Sequence, residues 1–201
     1  SVRYVNTCKE AIRLENAASL SLDFPDHDFD RMSLYGGHAS ERNLERIRLM
    51  RGVMETGNTR GASSHQQSPF LALARPNTDE LAGDVYGFSF IYSGSFQMAT
   101  EVEQFGTTRV VIGINPDDFA WTLEPGESFQ TPEVVISYSH DGLNGMSQAF
   151  HKAYRNHLLR GKYQHRVRPI LVNNWEATYF DFDDEKLDDL AACAADLGIE
   201  L

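Results

Sequence analysis

Cysteine is scarce in this sequence, with only Cys8 and Cys193 among 201 residues. The two stand far apart, form no metal-ligand spacing and outline no disulfide framework, a pattern expected in a reducing compartment. No apolar run approaches the roughly 20 residues that a membrane-spanning helix needs. The first residues lack the basic-then-apolar order of a secretory signal, and no N-x-S/T acceptor occurs. The expectation is a soluble cytoplasmic protein with no membrane partner. Positive charge is short too, at 18 Lys and Arg against 29 Asp and Glu, a net −11. Phosphate recognition draws on clustered Lys and Arg, so no nucleic-acid partner is expected and the charge reads as solubility. Internal repeats and low-complexity segments are absent as well.

What is present reads first as β. From Ile12 to Phe24 the positions Ile12, Leu14, Ala18, Leu20, Leu22 and Phe24 are apolar, the period of a half-buried strand. Further strands are predicted at Val85–Tyr92, Arg109–Ile114, Phe119–Leu123 and Val134–Tyr138. Turn signals at Asn115-Pro116-Asp117-Asp118 and Glu124-Pro125-Gly126-Glu127 separate the later ones. Many short strands with regular punctuation predict a sandwich over residues 1–140.

The pattern changes near Asp141. Met146, Phe150, Ala153, His157 and Leu158 recur at helical spacing, and Gly161 stands where that helix should stop. Residues 141–165 are therefore read as a linker helix. Arg168–Trp175 is a short apolar run that turns polar at its end. Asp183 can cap a helix whose apolar face is Leu187, Leu190, Ala191, Ala194 and Leu197 and whose stop is Gly198. Ile199 and Leu201 read as the opening of another strand. One strand–helix unit over 166–201 cannot stand alone, because a buried parallel strand needs neighbours. The expectation is a truncated α/β domain, with Ile170–Val172 an aggregation-prone edge in isolation.

In α/β barrels the chemistry collects at the C-terminal ends of the strands. Asn173, Asn174, Trp175 and Glu176 hold that position on the predicted strand. Two amides, an indole and a carboxylate suit a sugar, whose hydroxyls need fixed partners and whose apolar face packs on an aromatic ring. The residues alone leave open a plainer alternative, in which the amides satisfy local backbone and Trp175 is core. Other signals carry less. Ser63, Ser64 and His65 are adjacent in sequence, unlike a triad, and no G-x-S-x-G elbow occurs. Asp26–Asp30 opens like a calcium loop, but Arg31 replaces its sharp-turn glycine and Gly37 its bidentate Glu. His151 and His157 lie six apart on different helix faces. Asp181–Asp189 reads as a loop, a cap and a solvated helix face. Neither a metal nor a cofactor is expected.

The stretch RPILVNNWEATYFDF, Arg168 to Phe182, resembles the start of the catalytic barrel in family-36 α-galactosidases. GASSHQQSPFLALARP (Gly61–Pro76), DVYGFSFIYSGSF (Asp84–Phe96), the run from Thr107 to Ser139 and DGLNGMSQAFHKAYRNHLLRG (Asp141–Gly161) resemble the same family in the same order. The resemblance covers nearly the whole chain. It implies a mainly β fold: the later part of an N-terminal β-sandwich (supersandwich), a linker helix and the first βα unit of a (β/α)8 barrel.

The implied reaction is retaining hydrolysis of terminal α-linked galactose through two carboxylates. The family's two aspartates lie on later barrel strands, so no catalytic residue is expected in this chain and Glu176 is not expected to be the acid. Trp175 matches a family position that walls the galactose subsite, with Asn173, Asn174 and Glu176 as positioning candidates. In the segment LYGGHASER (Leu34–Arg42) the family usually has Trp where this chain has His38, which would make the pocket wall smaller and polar. A plain surface loop is the alternative for His38. Expected partners are α-galactoside oligosaccharides such as melibiose, raffinose and stachyose, and a tetrameric homo-oligomer is implied. α-N-acetylgalactosaminidase activity, or for the isolated chain a non-catalytic scaffold role, stands beside that reading.

Overall fold

The computed structural model describes residues 1–117 and 119–201. Asp118, the last residue of the predicted Asn115–Asp118 turn, lies outside the described residues. The chain divides into two compact units, Ser1–His151 and Lys152–Leu201.

The first unit is built of short strands. They are β1 (Arg3–Val5), β2 (Ile12–Leu14), β3 (Ala18–Phe24), β4 (Asp30–Gly37), β5 (Ser40–Arg48) and β6 (Gly52–Gly57). There follow β7 (Gln67–Ala74), β8 (Val85–Ile91), β9 (Phe96–Val102), β10 (Thr108–Ile114), β11 (Trp121–Leu123), β12 (Ser128–Gln130) and β13 (Glu133–Ser139). One antiparallel sheet runs β13-β8-β7-β4-β5, and a second runs β3-β10-β9-β6. Two ribbons, β1 with β12 and β2 with β11, complete the unit.

Alternation along the strands decides what the sheets bury. Phe96, Met98, Thr100 and Val102 of β9 and Val110 and Ile112 of β10 meet Leu71, Leu73, Phe88 and Phe90 from the other sheet in one core. The sandwich expected from the sequence is therefore present. The opposite faces of β7 and β8 are covered by a helix, α1 (Gly142–Ala153), whose Met146 and Phe150 are buried. Those strands consequently read as near-continuous apolar runs. Gly87 makes that packing possible, since a Cβ there would lie 2.5 Å from both Met146 Sδ and Phe150 Cε2.

A polar fastening closes the end of the sandwich around Phe29, which is fully buried between three aspartates. Arg75 holds Asp26 through Nη1 at 2.6 Å and Nη2 at 3.1 Å, and its guanidinium lies 4.0 Å from the Phe29 ring centre. Arg46 Nε donates to Asp30 at 2.7 Å, and Arg48 pairs with both Asp28 and Asp30. The segment that resembled a calcium loop is thus an arginine-bound corner. Arg75 holds the Asp26 carboxyl below the usual carboxylate range.

The structure departs from the sequence reading in several places. The predicted Ile12–Phe24 strand is two strands in different sheets, broken at Glu15–Ala17. The backbone there comes so near β10 that a Cβ on Gly113 would lie 2.8 Å from Ala17 O, and the register shifts at that point. The predicted Phe119–Leu123 strand is only Trp121–Leu123. Strands β1, β4, β5, β6, β7, β9 and β12 were not predicted; of these β5, SERNLERIR, is rich in charge and exposed throughout, and pairing with β4 supplies the order that its side chains do not. The first helix leaves α geometry at Ala153, passes through a π turn at Tyr154–Leu158 and is extended at Leu159, short of Gly161. Ala153, His157 and Leu158 are not buried, so nothing in the packing extends the helix.

In the second unit, Asp183 caps α3 (Asp184–Asp196) by accepting from Lys186 N at 2.9 Å. Gly198 ends it at φ +79°, with Ile199 N donating to Ala194 O and Gly198 N to Ala195 O. This is the glycine stop that the sequence predicts. Arg168–Val172 is extended, and Leu201 donates to Ile170 O at 3.0 Å while accepting from Val172 N at 2.8 Å. One residue bonding to both neighbours of Leu171 is the parallel pattern, but neither Arg168–Val172 nor Ile199–Leu201 forms a strand here.

Two outcomes follow, each for the complete natural polypeptide that contains this chain. Gly87→Ala should destabilise by about 1–3 kcal/mol through overpacking, and its cost should shrink in a Met146→Ala background. An unchanged cost of Gly87→Ala in that background, by denaturant unfolding, would show that α1 does not rest on Gly87. Asp26→Asn should lower the melting midpoint at pH 7, where the ionised carboxyl is held by Arg75. Because the folded pKa is depressed, the stabilisation is present above the ordinary carboxylate pKa of about 4 and disappears as pH falls through the folded value. The gap between wild type and variant should therefore close under acid; a gap that widens would reverse the assigned sign.

Candidate functional site

The residues selected from the sequence fall in both compact units. Asn173, Asn174, Trp175 and Glu176 are contiguous in the second, where the Arg168–Val172 segment passes into a single helical turn, α2 (Trp175–Thr178). His38 belongs to the first.

Local hydrogen bonds determine how the second-unit cluster is presented. Asn173 Oδ1 accepts from Trp175 N at 2.8 Å, which turns the chain at the end of the extended segment. Asn174 O accepts from Ala177 N and Thr178 N at 3.0 Å each, and Asn174 Nδ2 donates to Thr178 Oγ1 at 3.2 Å. Each amide thus has one pole occupied by its own neighbourhood: the carbonyl of Asn173 and the amino group of Asn174. The plainer alternative, local backbone satisfaction, describes those poles. The Asn173 side-chain amino group and the Asn174 side-chain oxygen, Oδ1, have no hydrogen-bond partner among the described residues.

Within this chain Trp175 is not enclosed, with 45% of its surface exposed. Two rings brace it, Tyr179 with centres 5.5 Å apart at 73° and Phe180 at 4.9 Å and 90°. Edge-on packing of this kind fixes the indole while leaving a face open. Tyr179 adopts φ +49°, a conformation uncommon for a bulky residue, and its hydroxyl donates to Glu176 Oε2 at 3.4 Å. These two braces were missed in the sequence, although the aromatic density of TYFDF was there to be read.

Two other acids of the unit have structural work. Lys186 pairs with Asp181 at 3.0 Å, and Asp183 is the helix cap. Among the described residues no group of three or more His, Cys, Asp or Glu could hold a metal.

In the first unit His38 is exposed at the turn joining β4 to β5. The hairpin is seated on the loop before β7: Gly36 N donates to Gln66 O at 3.0 Å, and a Cβ on Gly36 would lie 2.5 Å from Ser40 O. Arg42 of the same hairpin, with Ser63, Ser64 and His65, borders an open cleft of about 560 Å³. The Ser-Ser-His sequence orders that loop, with Ser63 N bonded to Ser93 O and Gln66 N to Ser64 Oγ.

Comparison with known proteins places the chain in a family. The model for the glycosyl hydrolase family 36 N-terminal domain matches residues 1–124, and the melibiase model matches residues 128–201. The α-galactosidase AgaA of Geobacillus stearothermophilus is 57% identical over all 201 residues, which make up 28% of its length. Crystal structures of variants of that enzyme, one with raffinose and one with stachyose, superpose with TM-scores of 0.95 at 57% identity; 99% of this chain and 28% of each of those chains are covered. The chain therefore spans little more than a quarter of the relatives it matches, and by the match over its first 124 residues it belongs to glycosyl hydrolase family 36.

Proposed function

We propose that the polypeptide carrying this chain is a retaining α-galactosidase that releases terminal α-linked galactose from oligosaccharides of the melibiose, raffinose and stachyose type. The observation that carries the reading is Trp175: a half-exposed indole at the end of an extended segment, held rigid by two rings and flanked by two amides with free poles. An indole face accepts the C–H side of a pyranose, and the free amide poles address its hydroxyls. The crystal complexes of the Geobacillus enzyme with raffinose and stachyose support oligosaccharides as the substrate class.

In this reading residues 1–140 are sandwich, 141–165 the linker and 166–201 the opening of the (β/α)8 barrel. Retention needs two carboxylates about 5–5.5 Å apart across the glycosidic bond. Glu176 is engaged by Tyr179, Asp181 by Lys186 and Asp183 by the helix terminus. We assign the nucleophile and acid to other residues of the complete protein, and to this chain the wall and positioning of the galactose ring. For His38 the family resemblance suggests a substrate-contacting role in the complete protein, with a plain surface loop as the alternative. A cytoplasmic tetramer working in carbohydrate metabolism completes the reading. α-N-acetylgalactosaminidase activity is the neighbouring alternative, separated by the pocket for the C2 substituent.

The test is hydrolysis of chromogenic α-galactosides by the complete natural polypeptide. Trp175→Ala should lower kcat/KM by roughly tenfold to a hundredfold, about 1.4–2.8 kcal/mol of transition-state binding. Trp175→Phe should recover part of it. An unchanged kcat/KM in Trp175→Ala would remove this residue from the site, and faster turnover of the N-acetylgalactosaminide would favour the alternative.

A further inference from the structure

Two adjacent residues of the second unit meet the same ring, which regular backbone does not arrange. Tyr179 and Phe180 both pack edge-on against Trp175, with ring centres 5.5 and 4.9 Å away and interplanar angles of 73° and 90°. Successive side chains diverge by about 100° around a helix and about 180° along a strand. The chain brings both to the indole by reversing at Tyr179, whose φ is +49° and ψ −117°. Those angles are close to the roughly +60° and −120° of the first central position in a type II′ turn. Asp181 N donates to Thr178 O at 3.0 Å and closes that turn, while Tyr179 N donates to Trp175 O at 2.8 Å.

Glycine dominates this turn position, because a Cβ makes the conformation costly. Helix α3 ends on Gly198 at φ +79° for the same reason. A bulky residue held there is a strained feature, and such strain marks a side chain with a task. Two side-chain contacts of Tyr179 point to that task. The ring lies against Trp175, and the hydroxyl donates to Glu176 Oε2 at 3.4 Å. The hydroxyl bond is long, so the ring is the firmer of the two attachments.

We propose that Tyr179 is a positioning residue of the galactose subsite: its ring sets the angle of the Trp175 indole, and its turn carries Phe180 to the same indole. The inference rests on the assignment of Trp175 to that subsite. Tyr179 acts through Trp175 and not on the sugar. An indole already fixed loses less freedom when a pyranose packs on it.

The test is hydrolysis of a chromogenic α-galactoside by the complete natural polypeptide. Tyr179→Gly removes the ring but suits the turn, so it should melt above Tyr179→Ala, which keeps the unfavourable φ. Both should nevertheless lose the same roughly threefold to tenfold in kcat/KM, the span of one aromatic pair. Tyr179→Phe should recover most of that loss. In a Trp175→Ala background, Tyr179→Gly should cost nothing further. Wild-type kcat/KM in Tyr179→Gly would reduce the residue to a turn and overturn the proposal. An undiminished cost of Tyr179→Gly in the Trp175→Ala background would overturn it too, as would a loss in Tyr179→Phe as large as in Tyr179→Gly. In each of those cases a lowered kcat/KM in Trp175→Ala alone leaves the Trp175 reading standing, whereas an unchanged value there removes both.

Discussion

The guanidinium of Arg46 is the fastening on which one side of the sandwich hangs. It donates to Asp30 at 2.7 Å and to the carbonyls of Thr78, Pro76 and Arg75 at 2.7, 3.0 and 3.1 Å. A single side chain on β5 thus ties its neighbour β4 to the turn that joins β7 to β8. Strand β5 is exposed along its whole length and lies at a sheet edge. Apolar burial contributes little to holding it, so ladder hydrogen bonds and this arginine carry most of the work. The hairpin that presents His38 inherits its position from that strand.

Placing Arg31 on the inner face has an evident reason in the strand period. Residues 31, 33 and 35 of β4 point where Leu71 and Leu73 of β7 point, toward the other sheet. Toward the sandwich edge β6 offers Thr56 beside Met54, with Glu55 its one carboxylate. A long side chain can cross the gap with its stem among apolar neighbours and its head on Thr56 and Met98 O. Breaking one partner of such a buried charge costs more than the bond itself is worth. The edge is therefore firm, although it is polar.

Legibility from the sequence followed the source of order in each element. Strands β8, β10 and β13 were readable because alternation or apolar density marks them, and α3 because its cap and glycine stop are local signals. Strand β5 was not readable, since its order comes from β4. The break at Glu15–Ala17 was not readable either: apolar parity continues across it, and only the close approach of Gly113 reveals two sheets. The helix end lay ahead of Gly161 because burial stopped at Phe150, whereas the glycine signal concerned the next turn. At the candidate site the residue types were legible, but their division of labour was not. Arg31 was seen only as the residue that spoils a calcium loop.

That division of labour bears on how the proposed sugar site could be held rigid by so few residues. Asn173 and Asn174 each bind the local chain with one pole and leave the other free, so the groups that would meet a hydroxyl are oriented before any ligand arrives. Trp175 is fixed in the same way, by rings that follow it within five residues. Preorganisation of this kind reduces the conformational entropy lost on binding. It also explains why amides serve better here than carboxylates. An ionised carboxylate only accepts, so one pole could not donate while the other accepts. A single amide can hold the turn with one pole and present the opposite chemistry with the other.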